Sequence, residues 1–227
     1  MTAPDAETFW HRVRFELVGQ IADRTRASRV LDIGAGSGLL GAWLESHQPV
    51  IEYRYEETSA ALDAALEERF GAAGRSDPEE SISSSTLVAL LDVLEHIDDD
   101  STALRAIARR MRPGAHLVVT VPALQWAFSS WDTELGHFRR YSRRSLRALV
   151  EEAGLAVEQC DYLFPELLPL LPVRKLRRAT RADADFPQLD PRIAALGYRI
   201  SSATASARRL WPAGTSILLV ARRSSHG

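Results

Sequence analysis

Short apolar runs alternate with amphipathic stretches along most of the chain. Apolar runs of about four to eight residues are typical of buried strands, and apolar positions three or four apart are typical of helices. The predicted strands are Val30–Ile33, Val50–Glu56, Thr86–Leu91, Ala115–Val121, Leu155–Asp161 and Thr215–Ala221, with a weaker one around Ala72–Arg75. Predicted helices between them include Leu39–His47, Thr58–Phe70, Leu104–Met111 and Ser142–Ala153. This alternation predicts an α/β fold with a doubly wound, mostly parallel sheet.

A glycine-rich turn follows the first predicted strand. Gly34, Gly36 and Gly38 alternate with small residues, and a helix begins at Leu39. Glycines let a ligand approach the backbone closely, and the start of a helix presents unpaired N–H groups to it. The dinucleotide fingerprint G-x-G-x-x-G requires a glycine where Leu39 stands. We therefore expect a ligand site at the carboxyl edge of the sheet, with a spacing that disfavours a nicotinamide dinucleotide.

Three segments carry a resemblance to a known family. The pattern Asp32-x-Gly34-x-Gly36-x-Gly38 resembles motif I of the class I S-adenosylmethionine-dependent methyltransferases. The segment 92–97, Asp-Val-Leu-Glu-His-Ile, resembles the family's D-x-L-E-H-I stretch, and Arg-Pro-Gly at 112–114 precedes a valine-rich strand. The resemblance spans about residues 28 to 160. It implies S-adenosyl-L-methionine as cofactor and a seven-stranded Rossmann-like sheet whose last strand is antiparallel. Before that strand, the chain carries a predicted helical insertion at 164–214 that the family's minimal fold does not require.

The resemblance also implies which residues hold the cofactor. A helix within residues 1–27 is expected to cover the cofactor site and to place Arg14 near the cofactor's carboxylate. An acid after the third strand, Asp77, is expected at the adenine amino group. The full set of expected cofactor contacts is Arg14, Asp32, Gly34, Ala35, Gly36, Gly38, Glu56, Asp77, Leu91, Asp92 and Val93.

Glu56 closes the second predicted strand about twenty residues beyond the glycine turn, where Rossmann-like sites place the acid that binds ribose hydroxyls. A carboxylate suits a vicinal diol because it accepts two hydrogen bonds from one direction. Because the neighbouring Glu57 is also an acid, the spacing does not decide between the two residues, and Glu56 is predicted as the ribose-binding acid.

Aromatic residues concentrate in the segment 122–141 between the fifth strand and the next helix. Such a loop above the ligand edge could close over the cofactor, exclude water and favour a cationic sulfonium. The segment closes on Gly136-His137-Phe138-Arg139-Arg140-Tyr141, which resembles a G-H-x-R-R-Y signature of a bacterial subgroup of these methyltransferases. We expect 122–141 to be a substrate or lid loop.

The expected catalytic residues are His96, His137 and Arg140. A histidine beside the methyl position can remove a proton from a hydroxyl acceptor, although His96 could instead fix its loop through a ring N–H. An arginine can grip a carboxylate or phosphate on the acceptor. One of Arg139 and Arg140 is expected to pair with Asp132 as a latch, and spacing does not decide which.

Composition narrows the function classes. The 227 residues are 45% hydrophobic, which suits one domain, 1–227, and a net charge of −2 gives no general attraction to nucleic acid. A single cysteine, Cys160, fits a reducing compartment, and no secretory leader is evident, so a cytoplasmic location is expected. The histidines are scattered, and the sequence predicts no metal site. The chain is expected to be a monomer or homodimer.

The insertion begins with an apolar, proline-containing stretch followed by an arginine-rich cluster. The apolar stretch is too short to span a bilayer, so no stable membrane insertion is expected. Residues 163–178 could instead present a solvated helix face, admit a lipid-like or phosphorylated acceptor, or contact a membrane surface.

Three functions remain open from the sequence. The first is a methyltransferase that uses S-adenosylmethionine on the oxygen or nitrogen of a small molecule that is acidic, phosphorylated or lipid-like. The second is a non-catalytic relative that binds the adenosyl nucleoside. The third is a nicotinamide-dependent oxidoreductase, which Leu39 disfavours.

Overall fold

A six-stranded mixed sheet forms the centre of the part that the computed structural model describes, residues 8–76, 81–176 and 190–224. Its strand order is β2-β1-β3-β4-β6-β5. Strands β1 to β4 run parallel, and β6 is antiparallel to both of its neighbours, as the resemblance implies. The strands are β1 Arg29–Ile33, β2 Glu52–Glu56, β3 Leu87–Leu91, β4 His116–Pro122, β5 Leu155–Leu163 and β6 Ser216–Arg223.

The expected strand count of seven is wrong for the described residues. The weak strand predicted at Ala72–Arg75 falls largely within helix α3, Ala60–Gly74. Gly71, at a φ of +71°, kinks this helix, and Ala72 and Ala73 then continue it. Arg75 forms only a single bridge to Tyr55 beside β2. The alanines therefore extend a helix, and one residue of pairing replaces the seventh strand.

Helices cover both faces of the sheet, since alternate strand residues point to opposite sides. Val88 and Leu90 of β3 join a core with Leu104 of α5, whereas Leu87 joins a second core with Val18 of α1. The remaining helices are α1 Phe9–Thr25, α2 Leu39–His47, α4 Ser81–Ser84, α5 Asp100–Arg110, α6 Ser130–Glu134, α7 Arg143–Glu152, α8 Leu171–Leu176 and α9 Pro191–Ser206.

The two helices described within the insertion 164–214 pack against different parts of the fold. Helix α9 packs on α1, where the Tyr198 hydroxyl donates a 2.7 Å hydrogen bond to Glu16 and the Arg12 guanidinium lies 4.1 Å from the Tyr198 ring centroid. Helix α8 lies against the loop 122–141, with the Arg174 guanidinium 5.3 Å from the Trp131 ring centroid. Residues 177–189, with much of the predicted basic cluster, lie outside the described residues.

Across the described ranges, the helices are too short or too polar to traverse a bilayer.

Helix α2 approaches β2 closely at Gly41. A Cβ there would lie 2.3 Å from Cε1 of Tyr53, far inside van der Waals contact. The same tyrosine donates its hydroxyl to the Asp32 carboxylate at 3.0 Å. Gly41 therefore sets the position of a side chain that supports the glycine turn.

We predict that Gly41→Ala destabilises the fold by about 1–3 kcal/mol, because the added methyl forces the stiff Tyr53 ring away. Urea unfolding measures the change. Glu45→Ala, an exposed substitution on the same helix, should change the free energy of unfolding by less than about 0.5 kcal/mol. Equal effects of the two substitutions would contradict the packing argument.

Candidate active site

The glycine turn has all three glycines in the left-handed region, at φ values of +73°, +57° and +75° for Gly34, Gly36 and Gly38. A Cβ at Gly34 would lie 2.8 Å from Val93, and one at Gly38 would lie 2.5 Å from Leu66. At Gly36 a Cβ would meet no described atom within 4 Å. Packing therefore requires the outer two glycines, whereas the central one faces open space.

Glu57 is the acid that faces this turn. Its carboxylate accepts hydrogen bonds from the backbone N–H of Gly36 and of Ser59, each at 2.8 Å. An acid held against the glycine turn is placed to accept hydrogen bonds from the hydroxyls of a ligand lying on the turn.

The structure places the carboxylate of Glu57, and not the predicted Glu56, beside the glycine turn. Glu56 ends β2, and its backbone carbonyl accepts the N–H groups of Gly34 and Ala35. Its carboxylate instead accepts a 3.1 Å hydrogen bond from the Ser76 hydroxyl, and partial burial raises its pKa. Strand register therefore gives Glu56 a backbone role at the turn. Asp77 lies outside the described residues.

Asp32 supports the turn from inside the sheet. Burial raises the pKa of its carboxyl to about 7, and the nearby Glu57 charge adds to the rise despite the hydrogen bond from Tyr53. Only 3% of Asp32 is exposed. Its position is that of a supporting group behind the backbone, and its expected contact with a cofactor stays a prediction.

Arg14 connects helix α1 to the carboxyl ends of the strands. Its guanidinium lies 2.6 Å from the Asp92 carboxylate and donates to the Ser216 hydroxyl at 3.1 Å. Asp92, which follows β3, adopts a left-handed φ of +56°, and its other carboxylate oxygen accepts from Thr120. Leu91 ends β3 beside them. The structure thus brings these predicted residues to one edge.

A buried latch orders the loop 122–141. Arg140 binds the Asp132 carboxylate through two hydrogen bonds of 2.7 and 3.1 Å. His137 Nδ1 lies 3.1 Å from the same carboxylate, and the Ser129 N–H donates to it at 3.0 Å. Burial opposes the charge of Asp132, yet the hydrogen bonds from His137 and Arg140 lower its pKa to about 2. One carboxylate therefore fixes both the arginine and the histidine of the signature.

The expectation that Arg140 contacts an acceptor is corrected by this geometry. Its guanidinium is buried and bound to Asp132 and to the Ala123 carbonyl, so it holds the loop. Arg139 pairs with Asp98 and Asp100 at 3.3 and 3.0 Å and is partly exposed. The sequence left this choice open because both arginines have the same chemistry.

The two histidines meet over the edge of the sheet. The rings of His96 and His137 pack edge to face with centroids 4.6 Å apart. A Cβ on Gly136 would lie 3.8 Å from His96 Nδ1, and burial, together with His137, lowers the pKa of His96. His96 therefore lies against the loop 122–141, and both its loop-fixing role and proton acceptance by either ring stay predictions.

Glu95 is a site residue that the sequence analysis did not select. It is fully buried beside the histidines, and its carbonyl accepts the Phe138 N–H at 2.8 Å. Its position in the segment 92–97 was the available signal, but nothing in the spacing revealed that its side chain turns inward. The loop thus meets the post-β3 segment through both backbone and side chains.

The chain is similar in sequence to known proteins. A family model described as a methyltransferase domain matches residues 9–160. The ubiquinone biosynthesis O-methyltransferase of Alkalilimnicola ehrlichii is 30% identical over 115 residues, covering 47% of this chain and 46% of that protein. The chain spans about half the length of the curated relatives it matches.

Solved structures share the fold. A SAM-dependent methyltransferase from Archaeoglobus fulgidus superposes with a TM-score of 0.55 at 18% identity, over 94% of this chain and 97% of that one. Phosphoethanolamine N-methyltransferase 2 of Haemonchus contortus, in complex with S-adenosyl-L-methionine, gives a TM-score of 0.55 at 18% identity, over 87% and 49%.

We predict that Arg140→Met destabilises the fold by about 3–5 kcal/mol, because it leaves the buried Asp132 carboxylate without its main partner. Urea unfolding followed by circular dichroism provides the measurement. Arg139→Met is the matched control and should cost about 1 kcal/mol or less, since its ion pairs are partly exposed. A larger loss in the Arg139 variant would show that the latch is assigned to the wrong arginine.

Proposed function

Because this chain belongs to the methyltransferase domain family, we propose that it transfers the methyl group of S-adenosylmethionine to a small-molecule acceptor. The observation that carries the proposal is the glycine turn, which faces open space at Gly36 and is flanked by the carboxylate of Glu57. Since the matched relatives are covered over only about half of their length, activity and acceptor are assigned here on the site's chemistry.

The residues at this edge fit an adenosyl ligand. Glu57 offers a carboxylate to a ribose diol, and the turn offers backbone N–H groups without side chains in the way. Arg14 offers a guanidinium to a carboxylate at the other end of the ligand. When bound, S-adenosylmethionine supplies an electrophilic methyl group on a cationic sulfur.

A hydroxyl acceptor, and hence O-methylation, is favoured by the groups near Asp92. A hydroxyl must lose its proton to become a good nucleophile, and His96 and His137 stand where that proton can be removed. The Asp132 contact orients the His137 ring. The curated relatives that the chain matches, ubiquinone biosynthesis O-methyltransferases, also point to transfer onto oxygen.

The loop 122–141 supplies the cover that excludes water from this edge. Its parallel bridge between Ala123 and Tyr141 closes the loop base, and the Tyr141 hydroxyl donates to Asp100 at 2.6 Å. Trp126 and Phe138 stay about half exposed and are available to an apolar acceptor or to a closing motion.

Arg174 takes the role first expected of Arg140. Arg174 lies on α8 and stacks against Trp131 of α6. Burial and the neighbouring Arg140 lower the pKa of Arg174. A second guanidinium so close to the latch favours an acidic group on the acceptor.

Lipid-like character in the acceptor is supported by the segment 163–178. Leu170, Val173 and Leu176 are more than half exposed along it. This apolar surface would receive a lipid chain or rest on a membrane surface; residues 177–178 lie outside the described part.

We predict that the intact chain binds S-adenosylhomocysteine and that Gly36→Ala weakens this binding more than about ten-fold, because the methyl enters the space before the turn. Isothermal titration calorimetry measures the affinity. Gly71→Ala is the matched control, with a similar φ of +71° and equally open surroundings but a place in α3. Both substitutions should cost about 1–2 kcal/mol of stability through the left-handed backbone, and only the first should affect binding.

No heat of binding from the folded wild-type chain would overturn the proposed function. Tight binding of NADH in its place would favour the oxidoreductase.

We also predict that Glu57→Gln weakens S-adenosylhomocysteine binding by about ten-fold or more, because a hydrogen bond to a charged group contributes about 1.5–3 kcal/mol. Glu56→Gln, at the adjacent position, should leave the affinity within about two-fold, since its carboxylate serves Ser76. The reverse order in the same titration would restore Glu56 as the ribose acid.

A further inference from the structure

Glu95, His96 and His137 bring one carboxylate and two imidazoles together beside Asp92. One ligand atom from each of the three lies within 4.8 Å of the others. Ligand atoms around a tetrahedral zinc ion are roughly 3.3 Å apart, given metal distances of about 2.0–2.2 Å. Small rotations of the three side chains would therefore gather them around one ion.

The Glu95 carboxyl is buried without a visible partner. It has 0% exposure, and neither of its oxygens has a hydrogen-bond partner among the residues that the structure describes. Buried polar groups in folded proteins are normally satisfied, so an unpartnered carboxyl indicates a missing ligand.

His137 is already held as metal ligands usually are. A metal-bound imidazole almost always uses its other ring nitrogen to bind a carboxylate or a backbone carbonyl. His137 has the Asp132 carboxylate on Nδ1, and His96 Nδ1 lies beside Gly136 of the same loop, 3.8 Å from where a Cβ on that glycine would be. Arg140 in turn fixes Asp132, so the surroundings of the ligands are ordered along with the ligands themselves.

We infer that Glu95, His96 and His137 form a binding site for one divalent transition-metal ion. Two imidazoles and one carboxylate are a donor set typical of zinc and other first-row metals, whereas magnesium and calcium prefer oxygen ligands. The sequence predicts no metal site, because the donors come from two separate segments that only the fold brings together.

The site deepens the proposed function, on which its role rests. Three protein ligands leave positions open for a hydroxyl of the acceptor. The bound cation would lower that hydroxyl's pKa, and the proton would pass to solvent. With the ion bound, His96 and His137 would act as its ligands, and this route would replace proton removal by the two rings. The oxygen's electron pair then forms the bond to the methyl carbon, while the electrons of the sulfur–methyl bond stay on sulfur and S-adenosylhomocysteine is released. The acceptor class is thus a molecule whose hydroxyl can coordinate a metal.

Zinc titration of the full chain, after removal of metals with a chelator, tests the site. Calorimetry should give one zinc ion per chain, and Co²⁺ as a substitute should give the visible absorption of an ion bound by protein nitrogen and oxygen. Glu95→Gln and His96→Gln should each weaken zinc binding by more than about ten-fold. Glutamine matches the glutamate in volume and needs no charge at a buried position, so the fold should persist.

His116→Gln is the control, because His116 lies on β4 and its ring is 3.6 Å from Glu158, away from the three ligands. It should leave zinc affinity unchanged. Circular dichroism checks folding, and if one ligand variant fails to fold, the other gives the same measurement. No stoichiometric binding by the wild-type chain would overturn the inference, as would binding that survives both ligand substitutions or is lost in the control.

The same samples separate this inference from the proposed function. S-adenosylhomocysteine binding without zinc binding would remove the metal site and leave the methyltransferase proposal standing. Zinc binding without S-adenosylhomocysteine binding would leave the metal site standing and remove the methyltransferase proposal.

Discussion

The buried carboxylate of Asp132 is the interaction on which the ordering of the site depends. A charge at 0% exposure is tolerated only when its lone pairs are filled. Here Arg140 donates two hydrogen bonds to the Asp132 carboxylate, and His137 and the Ser129 N–H occupy further lone pairs of the same carboxylate. Because these partners lie within one short loop, satisfying one carboxylate folds the loop and aims His137 at the sheet edge. Stability and the presentation of a chemical group therefore have the same cause.

The parallel sheet brings together what the chain keeps apart. The glycine turn follows β1, Glu57 follows β2, and Asp92 and Glu95 follow β3, so all of them reach the same edge. Arg14 joins helix α1 to this edge through Asp92. Burial is uneven across the edge, with open space at the glycine turn and an enclosed polar cluster a few residues further on. The adenosyl ligand is proposed to lie in the first region, and the ion and the acceptor are proposed to lie at the second.

Sequence patterns predicted most of this fold because buried strands and glycine turns follow from local chemistry. The antiparallel position of β6 was expected from the resemblance and is confirmed. The errors arise where a choice depends on tertiary contacts. Glu56 and Glu57 differ by one position of register, and two adjacent arginines compete for one carboxylate. Sequence spacing does not distinguish two adjacent residues of the same chemistry. Ala72 and Ala73 are compatible with a strand or a helix, and only their packing in the fold decides between the two. Glu95 was missed for a related reason, since only the folded loop shows that its carboxyl is enclosed.

The most direct test of the account is a crystal structure of the chain with S-adenosylhomocysteine bound. The account predicts that the ribose hydroxyls contact Glu57, that the ligand lies along the backbone at Gly36, and that its sulfur faces the side of the edge where His96 and His137 meet. A ligand that leaves the glycine turn empty, or whose sulfur points away from the histidines, would contradict it.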